Sequence, residues 1–482
     1  MLFNSLTYIT FLVFVISLYW VLPYRARMIL ILISSLTFYG FWKIEFIPVM
    51  LASVVIDYFA AIKMPSSNRI VKKRLLIVSL MANLGLLFYF KYLIFFSSNA
   101  IGLANILGAE IDPIALKILL PLGISFYTFQ TMSYTVDCYR GVVKPEKDFI
   151  LYACYVTFFP QLVAGPILRA SEVIYQLKSR VGFSWTHIAV GCRRIIYGLF
   201  LKVVFADNIS PLVDSGFLIP LETISALDVW TLAFLFGFQI YFDFSAYSHI
   251  ALGSARLMGI TFPENFNFPY VSSSPREFWR RWHISLGSWI RDYLYLPLTG
   301  AVFKDRSVGG LGAATDDKAQ NKALFASWSI MGLWHGANWT FVLWGIYHAI
   351  VIFVYRKLAT KAETIPKSIK KWVGILITLP IMMLSWIPFR AESIENTFLM
   401  WRTVINPYAY SSLGMRETVY VITCLLLAGF FITFLIKQKV MPKILKLNTS
   451  IVVVLEGMIF TIMLALVIVY LRPISQFIYF QF

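Results

Sequence analysis

Charged side chains are scarce in this chain: only 14% of its 482 residues are Asp, Glu, Lys or Arg, against roughly 25% in soluble domains. Acidic residues are scarcer still, 24 against 42 basic ones, a net charge of +18. The four cysteines, Cys138, Cys154, Cys192 and Cys424, form no CxxC pair. That spacing excludes a disulfide scaffold and offers no metal site. There is no fixed-period repeat, no low-complexity tract and no polar linker long enough to join separate domains, so disorder, a solenoid and a string of modules are excluded. The first apolar run has no basic segment before it and no small-x-small cleavage site after it, which predicts a retained helix instead of a signal peptide.

What the chain has in abundance is apolar surface, at 59% hydrophobic residues. No soluble core needs that much, and the composition predicts a polytopic membrane protein. Crossing the hydrocarbon layer takes roughly 20 apolar residues as helix, whereas barrel strands alternate at period two. The apolar runs here are continuous: 6–22, 28–42, 44–62, 75–96, 114–136, 149–168, 188–206, 228–252, 324–334, 339–355, 372–389, 417–436 and 451–471. Several are short or interrupted by Gly and Pro, so about ten to thirteen membrane segments are expected, in one all-α integral domain, 1–482, with 301–322 as a cytoplasmic loop. The basic excess is better read as membrane topology than as nucleic-acid binding. Arg25 and Arg27, Arg69–Arg74, Arg140–Lys147, Arg356–Lys371 and Lys437–Lys446 alternate with 97–113 and 208–227, which contain no Lys or Arg. Basic loops stay cytoplasmic, which places both termini outside.

Ionisable groups in such a chain are functional suspects. The densest set is Arg276-Glu277-Phe278-Trp279-Arg280-Arg281-Trp282-His283, continuing to Tyr293. Read as one helix, it aligns Arg276, Arg280, His283, Gly287 and Arg291 in a basic stripe beside Trp279, Trp282, Leu286, Trp289 and Tyr293. An interfacial helix that binds lipid headgroups accounts for that pattern. It does not account for an imidazole within the stripe, which cationic neighbours keep neutral and proton-accepting. His335, in Leu333-Trp334-His335-Gly336-Ala337-Asn338, is the only strongly ionisable residue between Lys322 and His348. A satisfied core histidine and a general base are both open for it. Zinc is not, because no nearby residue completes a ligand set. Gly332 and Gly336 beside it permit close helix approach or a local break. On a continuous helix His348 falls about 220° round from His335, which predicts a supporting role. His187 reads as interfacial, and Asp243, near His249, as half of an ion pair. Pro121–Phe126 and Pro160–Pro166 break their helices, and unwound backbone at membrane depth predicts a cavity or tunnel.

With these residues in hand the chain resembles the membrane-bound O-acyltransferases, in the bacterial branch of alginate and peptidoglycan O-acetyltransferases and D-alanyl transferases. The markers are Pro121–Phe129, Phe159–Pro166, Tyr241–Ser248, Pro263–Tyr270, Phe278–Leu286, Arg291–Leu298, Leu333–Asn338 and the tail Phe477–Phe482. The resemblance implies helices around a central tunnel, with re-entrant and interfacial segments. It also implies catalytic roles for His335 and His283, and a cytoplasmic acyl thioester (acetyl-CoA in the acetylating members) meeting an acceptor reached from outside. No permanently bound cofactor is implied. An extracytoplasmic SGNH-type esterase-like partner then completes transfer to a polysaccharide. Ala246 and His249 stand where the family usually has Gly and Asp.

The sequence therefore predicts a multi-pass protein of a bacterial inner membrane. With the resemblance, it is expected to move an acetyl group to a hydroxyl, with His335 as base and His283 beside it. Arg276, Arg280, Arg281 and Asn338 would hold the donor. A D-alanyl transferase fed by a carrier-protein thioester, or a polysaccharide exporter, are the alternatives. An exporter predicts inverted repeats, which the sequence does not show.

Overall fold

The long run Ala226–Leu257 forms a 32-residue helix that is 89% buried over its apolar stretch. It begins with a Ser225/Asp228 capping box, in which the serine hydroxyl accepts from the Asp228 N–H and the carboxylate accepts from the Ser225 N–H. At about 1.5 Å per residue it outspans the bilayer, and the rest of the protein packs around it. The computed structural model describes residues 1–112, 117–163, 165–301, 316–359, 367–446, 448–472 and 477–478. Among these residues all regular structure is helical.

Among the described residues seven helices are long and apolar enough to cross a membrane, and Leu6–Val21 is a shorter apolar one. This is fewer than the ten to thirteen segments expected from sequence. The run 149–168 yields only a helix over Phe149–Thr157, and 114–136 yields one starting at Ile124. The run 28–42 lies in Tyr24–Gly40, which at 17 residues is short for a full crossing, and 188–206 passes into π-helix at Leu201. The segment 301–322 is not all loop: Asp316 caps a helix over Asp317–His335, and 302–315 lie outside the described residues. Thr449–Val469, with only 6% of its apolar stretch buried, faces lipid.

Contacts bring several basic segments together. Arg25 pairs with Asp148 and Lys178 with Glu146, both beside Lys147, and the Lys72 ammonium lies 5.5 Å from the centroid of the Tyr139 ring, beside Arg140. Arg169 pairs with Asp292, and Arg356 donates to the Tyr295 hydroxyl. Asp243 pairs with Lys202 at 2.7 Å, as its place inside a span predicts, and its second oxygen accepts the Ile478 N–H at 2.7 Å. The chain's tail is thereby tied to the central helix. The rest of the tail marker, 479–482, lies outside the described residues. His249 Nδ1 accepts from Arg194 at 2.9 Å, and Arg194 also pairs with Glu264.

Candidate active site

Residues 317–359 fold as a helical hairpin, not as one continuous helix. Asp317–His335 ends at Gly336, and Trp339 starts the return helix to Ala359. Glycine makes the crossing possible. A Cβ on Gly332 would overlap the Phe341 carbonyl, one on Gly345 the Trp328 carbonyl, and one on Gly336 the Phe341 ring. Gly332→Val should therefore push the two helices apart, costing about 1–3 kcal/mol; a lower melting temperature with activity lost in parallel is the expected result. Asn338, expected to contact the donor, is exposed at the start of the return helix, where its side-chain oxygen accepts the Thr340 N–H at 3.0 Å. The turn also brings His348 close to His335, contrary to the continuous-helix reading. Both rings pack on Trp344, at 5.0 Å and 4.7 Å.

The stretch 276–293 is likewise not a single amphipathic helix. Pro275–Trp279 and Ile284–Ile290 are separate short helices, joined by a corner in which His283 adopts left-handed φ = 41°. Residues 265–267 clamp that corner. The Asn265 carbonyl accepts the Ile284 N–H (3.0 Å), its side-chain oxygen accepts from the Ser285 hydroxyl (2.9 Å), and the Arg281 carbonyl accepts the Asn267 N–H (2.9 Å). A non-glycine residue in this conformation is uncommon and points to a constrained site. The corner takes His283 out of the predicted basic stripe. Its ring is 1% exposed and lies against Phe244 (4.6 Å) and Trp334 (6.4 Å). Arg276 and Arg280 remain exposed. Arg281 is engaged, donating from Nε to Glu277 at 3.0 Å and from a terminal nitrogen to the Asn267 carbonyl at 3.1 Å. Burial raises the Glu277 carboxyl, but the Ser273 N–H and hydroxyl together with Arg281 outweigh it and hold the group below the usual range.

His335 is 5% exposed, with Trp334, Trp344 and Phe389 around its ring at 5.0, 5.0 and 5.2 Å. His283, His348 and Lys91 all lie near enough to act on it electrostatically. His335 and Trp334 line a cavity of about 200 Å³ whose other walls include Trp42, Lys91, Pro121–Phe126 and Val163. The two helix breaks thus meet at the cavity, as their sequence predicts. Gly123 (φ = 70°) starts one helix where a Cβ would strike the Leu162 carbonyl of the other break. Trp42, which follows the far end of the helix Tyr24–Gly40 from Arg25, and the exposed Leu119 line the cavity on its outer side.

Lys91 is absent from the sequence candidates, although a lone lysine inside the apolar run 75–96 carries the same signal that singles out Asp243. It sits in a π-helical turn, Phe88–Tyr92, a distortion frequent at functional sites. Its Nζ donates to the Trp334 carbonyl (2.6 Å) and the His335 carbonyl (3.0 Å), and the Tyr92 hydroxyl donates to the Leu333 carbonyl (3.1 Å). These are the last carbonyls of a helix, which no backbone N–H reaches. Two side chains from a distant helix thus hold the end of the segment that carries His335. In the aromatic cluster that includes Trp344, the indole N–H groups of Trp279, Trp334 and Trp344 and both nitrogens of His348 are buried with no hydrogen-bond partner among the described residues. Such a concentration of unmet polar groups is rare in proteins and calls for an explanation.

The sequence profile of the membrane-bound O-acyltransferase family matches residues 145–387. A protein named as a probable alginate O-acetylase from Azotobacter vinelandii is 35% identical over 411 residues, covering 84% of this chain and 78% of that protein. The Helicobacter pylori peptidoglycan O-acetyltransferase is 34% identical over 403 residues, covering 78% and 73%. A teichoic acid D-alanyltransferase from Streptococcus thermophilus is 29% identical over 306 residues, covering 56% and 68%. A buried histidine at a helix end beside a cavity, in an all-helical membrane fold with these relatives, identifies the chain as an O-acyltransferase belonging to the membrane-bound O-acyltransferase family.

Proposed function

We propose that this enzyme transfers an acetyl group from acetyl-CoA, on the cytoplasmic side of a bacterial inner membrane, to a hydroxyl presented from the periplasmic side. The basic segments face the cytoplasm and the N-terminus the periplasm. The acceptor is an extracytoplasmic polysaccharide or an SGNH-type partner protein that passes the group on. The observation that carries this reading is the position of His335 on a cavity lined by Trp42, at the far end of the helix Tyr24–Gly40 from Arg25.

In the proposed step the acceptor oxygen attacks the thioester carbonyl while its proton passes to a ring nitrogen of His335. The carbon–sulfur bond then breaks, and the proton follows to the departing thiolate. His283 lies across Trp334 from the base and orients the reacting groups. The donor approaches from the side of the basic segments. There Trp344 packs on both His335 and His348, and His348 on Trp279; the unmet N–H groups of Trp279, Trp344 and His348 match the amide carbonyls of a pantetheine arm. Arg276 and Arg280 are exposed to bind the donor phosphates. Replacing both by glutamine should raise the donor KM about tenfold or more with kcat little changed, as expected for lost ground-state binding.

The deciding experiment is reconstitution in proteoliposomes. With acetyl-CoA on the side of the basic loops, thiol release should depend on a hydroxyl acceptor supplied on the other side. Turnover only with an aminoacyl carrier-protein thioester would instead make the protein a D-alanyl transferase. Thiol release without any acceptor would reject acetyl transfer to a hydroxyl.

A further inference from the structure

Apart from the His335 cavity, a recess of about 400 Å³ has Arg281, Lys371, Lys437, Glu277, Asn267 and Gln438 among its lining residues, beside Phe268, Val271 and Phe434. It holds three cations against one carboxylate. Arg281 pairs with Glu277, whereas Lys371 and Lys437 are exposed and form no ion pair among the described residues. Next to it, an apolar groove of about 390 Å³ runs between the helices Glu417–Leu435, Ala226–Leu257 and Trp185–Phe200, with Met463 on its outer side. Phe268 lines both spaces. Its backbone is left-handed (φ = 47°), a conformation that bulky side chains rarely adopt. Its ring packs on Phe430 and Phe434 at 5.5 and 5.6 Å and carries the Lys437 ammonium 4.9 Å from its centroid.

We infer that the recess and groove together bind one anionic phospholipid, with its phosphate between Lys371 and Lys437 and an acyl chain along the groove. Charge complementarity favours this occupant, since basic pockets between membrane helices at the cytoplasmic face recognise anionic headgroups. Continuity favours it as well, because a cationic recess joined through Phe268 to an apolar trough matches a charged headgroup joined to an acyl chain. The outer wall is built from lipid-facing helices: Leu425 is 65% exposed and Thr449–Val469 is almost wholly unburied. Phe268 then stands at the glycerol level, and its strained backbone keeps the ring between the two compartments.

The test uses the full-length protein, delipidated in detergent, with melting temperature and native mass spectrometry as readouts. Phosphatidylglycerol should raise the melting temperature and remain bound, and phosphatidylcholine should do neither. Lys371→Gln with Lys437→Gln should weaken phosphatidylglycerol binding about 30-fold. Lys439→Gln, outside the recess, should leave it unchanged. Gly429→Phe, which fills the groove where no atom lies within 4 Å of a new Cβ, should weaken phosphatidylglycerol binding with the lysines intact. Equal stabilisation by phosphatidylcholine would overturn the inference, as would full stabilisation by inorganic phosphate alone. Displacement of the lipid by coenzyme A would also overturn it, assigning the recess to the acyl donor; loss of acetyl transfer on its own would bear only on the function proposed above.

Discussion

His335→Gln is expected to lower kcat by roughly 10²–10⁴-fold, the usual contribution of a positioned general base. Glutamine keeps much of the side-chain volume between Trp334, Trp344 and Phe389, so the variant should insert and melt like the parent. Ester content of the exported glycan, read by mass spectrometry, and thiol release in vesicles are the measurements. A variant with undiminished turnover would remove His335 from the reaction. His283→Gln tests its neighbour separately. A loss in kcat with an unchanged donor KM is the result expected of an orienting group, whereas a loss of folded protein alone would make His283 a structural clamp for its corner.

Lys91→Met should have the second largest effect. It removes the donor that Nζ supplies to the Trp334 and His335 carbonyls. Each carbonyl left buried without a partner costs about 1–3 kcal/mol. The end of the helix is then free to shift, and a displacement of about 1 Å at a reacting group costs up to about 10²-fold in rate. The expected signature is a fall in kcat with the donor KM unchanged and partial recovery in Lys91→Arg, which keeps a donor at that position. A proportional loss of folded protein with normal turnover per molecule would show that Lys91 serves stability alone. Tyr92→Phe, which removes only the bond to the Leu333 carbonyl, should give a smaller version of the same defect.

The parts of the site that were legible in sequence share one property: they are costly anywhere else. A histidine, an aspartate or a pair of helix breaks in hydrocarbon must have a partner or a cavity. Asp243 accordingly has Lys202, and Pro121–Phe126 lines the space beside His335. Gly332 was legible for the same reason, since it lets two backbones touch. The stripe of Arg276, Arg280 and His283 was not, because helical periodicity presumes an unbroken helix. Asn265, far back in the chain, supplies the hydrogen bonds that fold the corner and turn His283 inward.

From the sequence alone follow the membrane environment, the helical class, the alternation of basic and uncharged loops, and the candidacy of His335; each depends on composition or on neighbours a few residues away. The tertiary structure alone decided that Lys91 grips the helix carrying that histidine, that His348 returns beside it, and that Arg281 is committed to Glu277. These are contacts that a linear reading of periodicity does not reach. Only close packing, which allows a buried carbonyl, ammonium or imidazole few places to go, determines which of them meet.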